Sequence, residues 1–330
     1  MEESKKSSNG IKILIVLLIL LMIVAGVLVA IKFIQGNKIK QTQTSAGVEE
    51  NKEPEKEVIK LPTTFAGKDR PIAVMIDNNI NAMPQAGLLE ADLVYEIIVE
   101  GGETRMMAVL KGKDVEKIGP VRSSRHYFLD YALENDAIYV HFGWSPQAES
   151  DISTMGVNNI NGLYYDGSYF WRVSEKYAPH NAVISTKNIL KVAENNEYRT
   201  TSEQKPVLNY VADEIELEDG KEAETITIPY SDYNTVKYTY NEDKKEYVRY
   251  SRGKKQVDWN TDTTITTKNI IVTFAENYSL NDGSGKGRQG LENIGKLKGY
   301  YITNGKAIEI TCEKNSRTTQ TVYKDLQGNE

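Results

Sequence analysis

An α/β domain (α+β mixed) followed by a mainly β domain, both behind one transmembrane helix, is the fold class the sequence predicts. Three observations predict it. An uninterrupted apolar run lies near the start, a middle segment mixes helical and strand periodicities, and a tyrosine- and threonine-rich segment of short alternating runs follows.

Residues 13–31 carry no charged or strongly polar side chain, and Lys12 and Lys32 close the run. At 1.5 Å per residue it spans about 28 Å, the thickness of a bilayer core. The stretch is longer than a signal-peptide core, and VLVAIKFIQG is a poor cleavage site, so an uncleaved signal anchor is expected. Lysines flank both sides, so charge does not set the orientation. A short basic head (1–12) with a large body behind it places that body outside the cytoplasm. The expected localisation is the cell membrane, single-pass, with the bilayer as partner of residues 13–31. Residues 32–62 are polar and charged and read as a flexible tether.

The folded part divides into an α/β domain (63–197), a polar linker (198–224) and a β-rich domain (225–330). In the first, PIAVMID reads as a buried strand and PQAGLLEADL as a helical turn or two. LVYEIIVEGGETRMMAVLKG reads as a hairpin about Gly101-Gly102. A two-residue turn there pairs Ile98 with Arg105, so that Glu96, Ile98, Glu100 and Arg105 share one face. Two glutamates beside an arginine suit either acid–base chemistry or a structural ion pair.

IGPVRSSRHYFLD then starts a helix with Ser123 or Ser124 as N-cap. AIYVHFG reads as a buried strand. Ser145-Pro146 opens another helix and Ser185 a third. A strand ending at His141 and feeding a helix at Ser145 is the kind of place where open sheets bind ligands. The positive end of a helix repels cations, yet Arg122, Arg125 and His126 gather at one. Their counter-charge comes either from the protein, through Glu96 and Glu100, or from an outside anion. On the second reading Arg105, Arg122, Ser123, Arg125, His126, His141, Ser145, Arg172, His180 and Asn181 line a ligand pocket.

Other chemistry is poorly specified. The three histidines match no metal-ligand spacing, and no cofactor motif is complete. Gly285, Gly287 and Gly290 fit G-x-G-x-x-G only as letters, with no strand directly before and no helix after, so NDGSGKGRQG reads as a flexible loop. Cys312, the single cysteine, reads as a buried strand residue. A net charge of −6 argues against nucleic acid as a partner. Nine tyrosines between Tyr230 and Tyr301 suit cross-strand packing more cheaply than a carbohydrate surface.

DRPIAVMIDN, ADLVYE…VEGGETR, IGPVRSSR, HFGWSP and APHNAV, in this order, resemble the YerB-like family of bacterial envelope proteins with paired DUF3048 domains. The resemblance is strong over about 65–190 and weaker after 225. It implies an extracytoplasmic, membrane-attached protein with an α/β and then a mostly β domain, and it supplies no activity. Many relatives resemble lipoproteins with a cysteine after the apolar run. None stands there in this chain, so a protein anchor would replace the lipid. The last residues, KDLQGNE, form a turn that should lead into a further strand, so a truncated final hairpin is expected.

The expected function is therefore a membrane-anchored binding protein of the cell envelope, recognising an anionic envelope component or a protein partner. One alternative is an envelope hydrolase or transferase using Glu96 or Glu100 with His141. The other is a scaffold in which the Arg/Glu cluster only stabilises the fold.

Overall fold

The computed structural model describes residues 62–330, which belong to one compact unit beginning at Ile59. The anchor expected at 13–31 lies outside the described residues. Among the described residues no helix is long and apolar enough to cross a membrane.

The first half is built on a mixed five-stranded sheet. Its strands are β1 (Ile72–Asp77), β2 (Leu93–Ile98), β3 (Thr104–Leu110), β4 (Ile138–His141) and β5 (Asn159–Asn161), in the order β2-β3-β1-β4-β5. β1, β4 and β5 run parallel; β3 is antiparallel to β1, and β2, antiparallel to β3, points the same way as β1. Every residue of β1, β3 and β4 is buried. Both sheet faces are covered, so these strands read as continuous apolar runs rather than alternating ones.

Three helices supply the covers: α1 (His126–Glu134), α2 (Pro146–Thr154) and α3 (Thr186–Asn195). Ile72, Val74 and Ile76 face Ile189, Val192 and Ala193 of α3. Ala73 and Met75 face Phe128, Leu129 and Ala132 of α1, with Ile152 of α2. Each large side chain buried there contributes about 1.5–3 kcal/mol. Strand and helix are nearly balanced in this half, and strand dominates only once the second half is added.

Several local expectations are corrected. PQAGLLEADL forms no helix; Gln85 and Ala86 make β-bridges to Asp258 and Gly119 instead. The N-cap of α1 is Arg125, which makes no side-chain cap bond. Ser124 is held in extended backbone by a bridge to Trp144, and its hydroxyl accepts from Tyr139 at 2.8 Å. The hairpin register also shifts by one residue. Glu100–Gly102 form a 3-10 turn in place of a two-residue loop, which pairs Ile97, not Ile98, with Arg105. A slip of one residue turns a side chain to the opposite face. Arg105 therefore leaves the Glu96 face and shares one with Tyr95 and Ile97. The caps of α2 (Ser145) and α3 (Ser185) stand as the sequence predicts.

The second half is mainly β. One sheet pairs Thr225–Ser231, Asn234–Asn241 and Glu246–Ser251; another pairs Asn269–Phe274, Gly295–Thr303, Lys306–Lys314 and Val322–Asp325. Tyr240 lies opposite Tyr247 with ring centroids 5.1 Å apart, an instance of the cross-strand packing expected of the tyrosines. Cys312 is buried in its strand, and Asn281–Arg288 lie in the loop of a hairpin between Glu276–Ser279 and Gln289–Glu292.

The two halves are joined by buried charge. Glu134 accepts from Lys314 at 2.7 Å and from the Thr321 hydroxyl at 2.6 Å. Asp130 accepts from Arg317 at 2.6 Å and from Asn293 at 3.0 Å. Asp258 accepts from the backbone of Gly87 and Leu88. Residues 198–224 touch both halves, through Arg199 and Ser202 on Asp136 and Glu214 on Lys245.

Candidate functional site

The carboxyl end of β1 is Asp77, which is buried and collects three donors. The His180 ring donates through Nδ1 at 2.7 Å, Arg122 approaches with Nε at 3.3 Å, and the Asn79 amide donates at 3.0 Å. Burial pushes the Asp77 carboxyl up, but the bond from His180 and the charge of Arg122 outweigh it and hold the group below its ordinary range.

Across the β1–β3 pairing from Asp77 stands Arg105. It donates to the Ser123 carbonyl at 2.5 Å and lies 3.8 Å from Glu100. Glu100 is taken mainly by Arg125, whose Nη2 and Nε lie 2.5 and 2.6 Å away. Burial and the neighbouring Arg125 lower the Arg105 guanidinium to about 10. The question raised by the sequence thus receives a divided answer. Asp77 and Glu100 are the carboxylates in contact with Arg105, Arg122 and Arg125, so two negative charges face three positive ones.

Of these three arginines Arg122 is the least absorbed by the fold. Its side chain is 27 % exposed, and its nearest approach to Asp77 is through Nε. Among the described residues its two terminal amino groups have no hydrogen-bond partner, and neither do the Ser123 hydroxyl and His180 Nε2. All three residues flank the carboxyl ends of β1 and β4, where open sheets of this kind present ligand crevices.

Two models of "Protein of unknown function (DUF3048)" match this chain, the N-terminal domain over residues 61–199 and the C-terminal domain over 226–330. The chain belongs to the DUF3048 family. A Bacillus subtilis (strain 168) relative, "Putative lipoprotein YerB", is 35 % identical over 243 residues, which is 73 % of this chain and 72 % of the relative. The crystal structure of YerB protein from Bacillus subtilis superimposes with a TM-score of 0.69 at 32 % identity, covering 78 % of this chain and 84 % of that one.

Within this DUF3048 body the remaining predicted site residues separate. His141 is fully buried between Tyr139 and Trp144, with Nδ1 2.8 Å from the Gly143 carbonyl and Nε2 3.1 Å from Asn159. Burial lowers its pKa to about 4, against the pull of those two bonds. Glu96 is engaged by Arg249 at 2.9 Å, Thr104 at 2.8 Å and Asn78 at 3.0 Å. Arg172 donates to Asp166 and to Asn181 at 2.8 Å and stacks on Phe142. His126 and Ser145 join Arg125 at a separate cavity near α1 and α2.

Asp77 carries the site, yet sequence reading saw it only as the end of a strand. A carboxylate closing a buried parallel strand was the available signal. Arg249, Lys314 and Arg317 left no local signal, since their partners lie more than 150 residues away.

Proposed function

We propose that this is a membrane-attached protein of the bacterial cell envelope that binds an anionic group at the carboxyl ends of β1 and β4. Support for the location comes from the relative's name as a lipoprotein and from the apolar run 13–31, which reads as a protein anchor in this chain. Support for the binding comes from one observation above all. The Arg122 guanidinium spends one edge on Asp77 and keeps a donor pair without a protein partner. A guanidinium fork suits a phosphate, sulfate or carboxylate, and the Ser123 hydroxyl would complete the first contacts.

Thermal unfolding of the full-length chain in detergent micelles tests this, with phosphate, sulfate, sugar phosphates and muropeptides as probes. A ligand at 100 times its dissociation constant adds about 2.7 kcal/mol of stability. The reading expects such a shift in the wild type and a clearly smaller one in a folded Arg122→Ala variant. No shift with any probe would defeat it and leave the arginines as parts of the scaffold.

The Asp77–His180 pair favours a second reading. A buried carboxylate that orients an imidazole through Nδ1 leaves Nε2 as a general base. A hydrolase or transferase would then rest on His180 in place of His141. Turnover of an envelope substrate that survives His180→Gln would rule that out.

A further inference from the structure

Beside α1 and α2, and apart from Arg122, lies a cavity of about 90 Å³. Its walls include Arg125 and His126 at the start of α1, Ser145 and Pro146 at the start of α2, and Asp282 and Arg288 from the hairpin loop. Small-molecule pockets run to roughly 300–1,000 Å³, whereas about 10–15 Å³ holds one water. The space therefore suits a single compact polar group.

Its electrostatic character is positive on three sides. Two helices of nine residues begin there with the positive ends of their dipoles; in α2 Pro146 has no N–H and the Ala148 amide is already on the Ser145 hydroxyl, so the uncapped start of α1 is the better donor. α1 begins without a side-chain cap and without an acidic residue in its first turn. Arg288 adds a guanidinium that is only 11 % exposed. A second observation is independent of the helix ends. His126 is 9 % exposed, and its Nδ1 is buried with no hydrogen-bond partner among the described residues. Leaving such a nitrogen unpaired is costly unless something polar meets it.

The negative group already there is Asp282. Its carboxylate accepts from Arg288, from the Ser284 amide at 3.0 Å and from the Ser284 hydroxyl at 2.6 Å. Gly285 and Gly287 hold left-handed backbone (φ 64° and 63°), and a Cβ at either would meet nothing within 4 Å. That part of the loop is free of tight packing that would resist reshaping.

We propose that the cavity takes one oxyanion, a phosphate or sulfate group, which competes with the Asp282 carboxylate for Arg288. The group would accept from Arg288, from first-turn amides and from His126 in its Nδ1–H tautomer. The loop read from sequence as an empty glycine pattern thereby becomes the gate of an anion site.

Opposite effects of two loop substitutions test this. Potassium phosphate, potassium sulfate and glycerol 3-phosphate are titrated calorimetrically into the full-length Arg122→Ala chain in detergent micelles, and each further substitution is made in that background so that only this site is read. Asp282→Asn removes the competitor and is expected to tighten phosphate binding about tenfold, the worth of one charged hydrogen bond. Arg288→Gln is expected to abolish binding at an unchanged unfolding midpoint, and His126→Phe to weaken it about fivefold by removing one neutral donor. Arg122→Ala leaves this site intact, which separates it from the one proposed above. Preference for glycerol 3-phosphate over the inorganic anions would mark the group as one carried on a larger molecule. Binding that survives Arg288→Gln, or that fails to tighten in Asp282→Asn, overturns the proposal.

Discussion

Arg122 comes nearest to Asp77 through Nε, at 3.3 Å, and Asp77 has two other donors in His180 and the Asn79 amide. Arg125 stands differently. It supplies both close side-chain contacts to Glu100, whose other arginine, Arg105, stands off at 3.8 Å.

Stability should separate these two arginines. Arg122→Ala leaves Asp77 still bonded and is expected to cost about 1–2 kcal/mol. Arg125→Ala strips Glu100 of its near partner in a part-buried place and is expected to cost about 3 kcal/mol. Urea unfolding of both variants measures the difference. Equal losses would mean that Arg122 is as structural as Arg125.

Acid should weaken the fold before Asp77 and Glu100 take up protons. Burial lowers His126 and His141 to about 4 from an ordinary 6.5, so the unfolded chain binds protons there that the folded one refuses. Stability is then lost as pH falls from about 6.5 towards 4, on the order of 3 kcal/mol per histidine at most. Asp77 and Glu100, held below their ordinary range, add a further loss at lower pH as they take up protons. Unfolding free energies at pH 7 and pH 5 check the first step, and a flat profile across that interval contradicts it.

The contact between halves depends on Lys314 and Glu134, 2 % and 0 % exposed and 2.7 Å apart. Lys314→Met abandons a buried carboxylate to Thr321 and Tyr95, and should cost about 3–5 kcal/mol. Glu134→Gln with Lys314→Met should cost less than the sum of the two single changes. Additive losses in that double-mutant cycle would show that the pair is not coupled.

The legible part of this fold is its local part. PIAVMID, AIYVHFG, Ser145-Pro146 and Ser185 announce buried strands and capped helices because burial period and cap chemistry act over a few residues. Arg122, Arg125 and His126 mark a charged corner for the same reason: three such groups at one helix start are an electrostatic oddity on their face. The hairpin register was not legible. A 3-10 turn and a two-residue turn differ by one residue, and which one forms depends on what both faces of β3 meet in the folded sheet. Ser124 looks like a cap until Trp144 and Tyr139 claim it.

By itself the sequence determined the family, the order of strand-rich segments and the cluster of positive charge, since each is written in neighbouring residues. Tertiary structure alone decided which carboxylate meets which arginine. Asp77, and not Glu96, came to Arg122, and Glu96 went to Arg249 from the other half. Those choices rest on pairs brought together across 45 and 153 residues of chain, whose energy exists only once the surrounding core has excluded water.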